Sequence, residues 1–240
     1  MLITDVSTLF GFWPERQVDI SLERLLKIMD RHDISRAFTL SMRGVFMDVE
    51  KGNTETLQAC NDHPQRFVPV ATIDPRCGGD TRGLIDRCVE EGFQHIRFFP
   101  KIQSWRPDDL VWQDICEKLI DCGKLCLHLP AGMGLAAIDK VAQRYPLPVI
   151  VHGAFFSSEA ELEMLLRRQK NVFAEISFFI GVGSLDRFCR QGFGDRLLLG
   201  TNSPFNYTAS AISIVRTLSN KSLQNDIMGN NAAKIMESLQ

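Results

Sequence analysis

Eight short apolar runs alternate along this 240-residue chain with stretches whose apolar residues recur every three or four positions. That alternation constrains the fold more than any other feature, because strands joined by helical crossovers pair in parallel within one sheet. The runs cover 2–6, 36–41, 67–73, 93–99, 124–129, 149–152, 172–177 and 196–201. PVIVH and RLLLGT are apolar on both faces, as strands covered on both sides require. Between the runs, Leu22, Leu25, Leu26, Ile28 and Met29 make one helical face. Leu162, Leu165 and Leu166 make another, opened by Ser158 with Glu161 three positions on, the spacing of a capping box. An open doubly wound sheet shares the alternation. The count of eight, and a length near the roughly 250 residues of a (β/α)8 barrel, favour closure. No Pro/Gly/Ser-rich linker or sequence repeat divides the chain, so a single parallel (β/α)8 barrel domain over 1–240 is expected.

The formal net charge is −2, with no block of like charge, so the basic stripe of a nucleic-acid binder is missing. No apolar run approaches the roughly 18 residues that cross a bilayer. The opening MLITDVSTLFG lacks the basic-then-apolar order of a secretion signal. Seven cysteines, an odd number without a CxxC pair, fit reduced and mostly buried thiols. A cytoplasmic protein with a small-molecule ligand, and with neither nucleic acid nor membrane as partner, is the expectation.

In a barrel, chemistry sits where the strands end. Those positions hold Asp5, Ser7 and Leu9; Arg97 and Phe99; His128; His152; and Thr201 with Asn202. Aromatic residues crowd the same places: Phe10, Phe12, Trp13, Phe98, Phe99, Trp105, Phe155, Phe156, Phe178, Phe179 and Phe205. They predict an apolar pocket, with Phe99, Phe155 and Phe178 among its walls. Arg97, with its fixed fork of donors, would hold one anionic end of the ligand. His95, two residues before Arg97, reads as deeper and structural. His32 and His63 fall at helix ends and read as solvent-facing. Ser7 lacks a G-x-S-x-G elbow, and Gly181-x-Gly183 has no close basic residue, so neither a serine nucleophile nor a phosphate site is expected.

Taken in order, several segments resemble the amidohydrolase-related family, the branch with small-acid decarboxylases and lactonases. They are NDHPQRFVPVATIDPR at 61–76, GFQHIRFFP at 92–100, LCLHLPAG at 125–132, PVIVHGAF at 148–155, NVFAEIS at 171–177, RLLLGTNSPF at 196–205 and the closing IMGNNAAKIMES. The resemblance runs over nearly the whole chain and implies a (β/α)8 barrel with a divalent metal at the strand ends. The metal-binding pattern departs from the family. Its first strand usually ends in Asp-x-His-x-His, and here the stretch is Asp5-Val6-Ser7-Thr8-Leu9. The strand-eight aspartate that takes a proton from water is replaced by Asn202, and the strand-four lysine of some relatives by Arg97. The strand-five and strand-six histidines remain as His128 and His152. Too few ligands are left for a dinuclear site; a mononuclear His128/His152/Asp5 set remains open.

Read with these departures, the resemblance implies a metal-independent, cofactor-free hydrolase-like (or lyase- or isomerase-like) enzyme. It would act on a small, partly apolar acid, lactone, or cyclic ester or amide. His128 and His152 would do acid–base work, Arg97 would anchor the anion, and Asn202 and Ser7 would orient by hydrogen bonds. The alternative is a catalytically inactive barrel that binds a ligand or partner. A homodimer is also implied by the resemblance.

Overall fold

The computed structural model describes residues 2–15, 17–76 and 80–240. Its strands are β1 (Ile3–Asp5), β2 (Ile34–Thr39), β3 (Phe67–Pro69), β4 (Ala71–Thr72), β5 (His95–Arg97), β6 (Cys126–Pro130), β7 (Val149–His152), β8 (Val172–Glu175) and β9 (Leu197–Leu198). All pairings are parallel, running β1-β2-β3 and then β4 through β9 in chain order. β3 and β4 are two halves of the third apolar run. They part at Val70, whose N–H donates to the Thr39 carbonyl at 3.0 Å. Past its regular part the first strand meets the last: Val6 N donates to Leu199 O at 2.9 Å, Leu9 N to Ser203 O at 3.0 Å, and Thr8 bridges Ser203 in parallel. The hydrogen bonds therefore pass around eight strand positions, and the chain forms the expected (β/α)8 barrel. The regular strands are shorter than the apolar runs, because their flanking residues turn into the loops.

Two apolar layers hold the barrel. Outside, Ala37, Ala71, Ile96, Leu127, Val149, Val151, Val172 and Leu197 meet the inner faces of the surrounding helices, including Leu25, Met29, Ile85, Ile115, Ile138, Leu162 and Leu166. A second cluster, with Phe38, Leu40, Val70, Cys126, Ile150 and Leu198, fills the inside. Alternation along each strand puts these two sets on opposite faces. The helix Leu22–Arg31 carries the expected apolar face, and Ser21 caps its start, its Oγ accepting from Arg24 N at 3.2 Å. The capping box expected at Ser158 does not form. A 3-10 turn, Phe156–Ser158, precedes the helix, and the Ser158 hydroxyl donates back to the Phe155 carbonyl at 2.8 Å instead. The described cysteines are free thiols, as expected, and Cys77 lies outside the described residues. Among the described residues no helix is long and apolar enough to cross a membrane.

The last helix, Asn231–Ser238, shows why an Asn-Ala-Ala step suits its position. Asn231 is fully buried, and its amide donates to the carbonyls of Gly194 and Leu197, each at 2.9 Å, fixing the helix to the start of β9. Asn231→Leu leaves both carbonyls unpaired in an apolar surround. It is expected to cost about 2–3 kcal/mol in chemical denaturation, whereas a loss under about 0.5 kcal/mol would mean that the helix is held by its apolar face alone.

Candidate active site

At the C-terminal ends of the strands lies a cavity of about 500 Å³. Leu9, Trp13, Arg97, Phe99, Phe155, Phe178, Asn202 and Phe205 line it, together with Lys101, Ile102 and Asn206. Five of the aromatics picked out at strand ends thus reach the mouth. Phe155 and Phe178 pack with ring centroids 4.5 Å apart, and Trp13 is edge-on to Phe205 at 4.6 Å. Phe98 and Trp105 instead pack outward around Trp112, and Phe179 packs on Phe188. Phe10 is buried.

Arg97 is the last residue of β5, and its backbone carbonyl accepts from Thr72 Oγ1 at 3.0 Å. Its guanidinium carbon sits 5.2 Å from the Phe99 ring centroid. Among the described residues no carboxylate lies within the 4.0 Å of an ion pair. Burial pushes its pKa down to about 10, against the upward pull of the more distant Glu175 and Asp5 charges. It is charged at neutral pH, partly desolvated and without a close counter-ion. Such a group pays a solvation cost that an anionic ligand would relieve.

Behind the cavity floor runs a row of imidazoles. His95 Nδ1 lies 3.1 Å from His128 Nε2, and His128 Nδ1 lies 2.9 Å from His152 Nε2. His152 Nδ1 lies 3.3 Å from Ser7 Oγ and 4.0 Å from Glu175 Oε1. All three rings are buried. Burial lowers the pKa of His95 to about 3 and holds those of His128 and His152 well below the usual value, with Arg97 adding to the effect on both. The rings are neutral at pH 7.

Two carboxylates flank the row. Asp5 Oδ1 accepts from Ser7 N and Thr201 N, each at 3.0 Å, and its other oxygen bonds the Thr201 hydroxyl. From there the hydroxyls of Ser203 and Thr208 continue the contacts at 2.6 and 2.7 Å. Burial raises the Asp5 pKa to about 7 despite those bonds. Glu175 accepts from Gly153 N and Ser177 N, each at 2.7 Å, and from Ser177 Oγ at 2.9 Å. Burial raises its pKa too, and these bonds oppose the rise.

Of the residues expected at the site, Arg97, Phe99, Phe155, Phe178 and Asn202 come together on one cavity wall and floor. Asn202 has φ 53°, and its carbonyl accepts from Phe205 N at 3.0 Å, so it shapes the loop that carries Phe205. His128, His152 and Ser7 are joined to one another but do not line the cavity. His95 was expected to lie deeper or to be merely structural. It is deep, but it is the inner member of the same row. Its shared strand face with Arg97 was the available signal. Thr201, a buried donor past β9, stood among the strand-end positions, whereas Glu175, a buried acceptor at the end of β8, was not singled out.

A sequence profile described as amidohydrolase matches residues 13–236. No curated protein matches the chain. Among solved structures, an uncharacterized TIM-barrel protein from Bordetella bronchiseptica shares 14% identity at TM-score 0.80, covering 100% of this chain and 99% of that one. A 2,6-dihydroxybenzoate decarboxylase from Rhizobium shares 16% at TM-score 0.71, with 99% of each chain covered. A 5-carboxyvanillate decarboxylase from Novosphingobium aromaticivorans, complexed with manganese and a nitrobenzoic acid, shares 16% at TM-score 0.72, covering 98% and 96%.

The donors here do not fit a metal at the cavity. Both nitrogens of His128 and both of His152 are engaged by neighbours, Leu9 offers no donor, and Asn202 offers a neutral amide. Among the described residues, three candidate ligands converge at His95, Cys126 and His128, but that group is wholly buried and opens on no part of the cavity.

Proposed function

The chain belongs to the amidohydrolase family, and from that premise we propose that it is a metal-independent, hydrolase- or lyase-like enzyme acting on a small aromatic or otherwise apolar carboxylic acid. The observation that carries this reading is Arg97, a charged, partly desolvated guanidinium without a close carboxylate at the base of an aromatic cavity. A carboxylate meets its fork in two parallel charge-assisted hydrogen bonds. A flat ring then lies among Phe99, Phe155 and Phe178, and the Asn202 amide meets a polar substituent. A cavity of this size and lining suits a molecule of that class. Two structural neighbours are decarboxylases of aromatic acids, which agrees with the ligand class.

Proton movement in this reading falls to Ser7 and His152. Ser7 lies two residues below Leu9 on the first strand, and His152 retains a trace of exposure at 3%. The Ser7 hydroxyl takes a proton from the reacting group as it gives its own to His152 Nδ1, and returns it as His152 gives that proton back, with His128 and His95 behind. A second reading, a barrel that binds such an acid without converting it, is favoured by one observation: no imidazole lines the cavity.

The test uses metal-stripped protein, a chelator, and a panel of benzoic, phenylacetic and dihydroxybenzoic acids with related lactones. Binding is followed by calorimetry and turnover by proton NMR. Binding of at least one acid, with turnover unchanged by chelator and abolished in His152→Gln, is the expected result. Binding without turnover moves the protein to the second reading. Turnover that appears only on adding zinc or manganese would overturn metal independence.

A further inference from the structure

A second cavity lies on the outside of the barrel, away from the strand ends. The helix Leu110–Cys122 packs against Thr81–Glu90 on one side, and the helix Leu135–Arg144 packs against Glu159–Arg168 on the other. Between these two helices a cleft of about 460 Å³ remains open down to the barrel wall. Its lining includes Trp112, Leu127 and Ile120, of which Trp112 and Leu127 are buried. An open cleft of this size between barrel helices leaves apolar wall facing water unless an apolar group covers it.

The rim carries the second observation. Lys140 and Arg144, one turn apart on the same helix, border the cleft. Like charges at that spacing repel, and among the described residues neither has an acidic partner within 4.0 Å. The adjacent carboxylate, Asp139, is engaged away from the cleft by Arg168 at 2.9 Å and by the Gln169 amide at 2.7 Å. Asp108, the acid among the lining residues, lies 3.4 Å from Arg106. The cleft is thus apolar within and cationic at one edge.

We propose that this cleft binds an amphipathic monocarboxylate, a medium-chain alkanoic or arylalkanoic acid. Its apolar body lies on Trp112, Leu127 and Ile120, and its carboxylate on Lys140 and Arg144. Charge complementarity selects the acid over a neutral apolar molecule, and a volume of about 460 Å³ between two helices admits a small molecule rather than a protein surface. The site is separate from the mouth cavity, so its occupancy does not depend on the reaction proposed there.

The experiment titrates full-length protein with decanoate below its micelle concentration, reading heat and backbone amide shifts. Saturable binding with shifts confined to 107–120, the neighbourhood of Leu127, and 137–145 is expected. Decanol is expected to bind at least tenfold more weakly, and so is decanoate to the surface double variant Lys140→Gln with Arg144→Gln. Ala137→Trp, which projects a ring into the cleft, is expected to abolish binding, its fold checked by circular dichroism. 2,6-Dihydroxybenzoate, the probe of the mouth cavity, should not compete. Unchanged affinity in the double variant, equal binding of decanol, or competition by the aromatic acid would each overturn the proposal. A protein that sediments as a dimer and becomes a monomer on Ala137→Trp would assign the cleft to a second copy of the chain instead.

Discussion

Arg97→Met is expected to remove aromatic-acid binding and, in the same protein, to raise stability at neutral pH. The two effects share one cause. In the free protein the guanidinium has given up part of its hydration, and no carboxylate within 4.0 Å returns the loss. Methionine fills similar volume without that cost, and a gain of about 1 kcal/mol in denaturant unfolding follows. With ligand present the balance reverses. Losing a bidentate, charge-assisted contact in a desolvated pocket costs about 3 kcal/mol, a drop in affinity of roughly 100-fold. Calorimetry with the tightest acid of the panel and urea titration of the apo protein make the paired measurement. A destabilised variant would show that Glu175 and Asp5 already compensate the charge at longer range. Unaltered affinity would place the ligand's anionic group elsewhere.

The second large effect is acid unfolding. His95, His128 and His152 have folded pKa values pushed far below their unfolded value of about 6.5. The stability attached to each is therefore fully present above pH 6.5. It is lost as the pH falls, because the unfolded chain takes up protons that the folded one refuses. Each ring contributes a slope of about 1.4 kcal/mol per pH unit, and three give about 4. Asp5 works in the opposite direction. Its folded pKa, raised to about 7, makes the folded state hold a proton between about pH 7 and 4 that the unfolded chain has released. Glu175 acts likewise over a window set by its own rise. The net slope is one to two protons, about 1.4–3 kcal/mol per unit, so about 4–7 kcal/mol is lost by pH 4, enough to unfold a domain at the lower end of ordinary stability. Urea titrations at pH 7.5, 6.0 and 5.0 measure it. Asp5→Asn, close in shape to the protonated acid, should steepen the loss by one proton, and His95→Gln should flatten it by one. Stability that stays level from pH 7.5 to 5.0 would mean that the row accepts protons in the folded state.

The fold was legible because parallel strands buried on both faces leave apolar runs that no loop mimics, as at Val149–His152, where the run and the strand coincide. The break at Val70 was not legible, since a strand that passes its partners from β2 to β5 leaves no mark on its composition. At the site, Arg97, Asn202 and the aromatic walls followed from their places at strand ends. The histidine row did not, because it depends on register between strands. His95 stands opposite Cys126 and His128 opposite Ile150, so each next histidine lies two residues past its neighbour's partner. That diagonal is a property of the barrel's stagger. Alternation within one strand could say that His95 shares a face with Arg97, but not that it reaches His128. That both nitrogens of His128 meet neighbouring rings was likewise out of reach.

The row of imidazoles has a direction. A neutral ring carries one N–H, so it gives a hydrogen on one side and must receive one on the other. Three such rings in series can point only all one way or all the other. If His95 gives, then His128 and His152 give in turn, and the Ser7 oxygen receives, leaving its own hydrogen to face outward. If Ser7 gives, every ring reverses and the hydroxyl shows its neighbours a lone pair. His95, three contacts from Ser7, is therefore coupled to the sign of the group that Ser7 presents, and a substitution there is felt at the first strand without any heavy atom in between having moved.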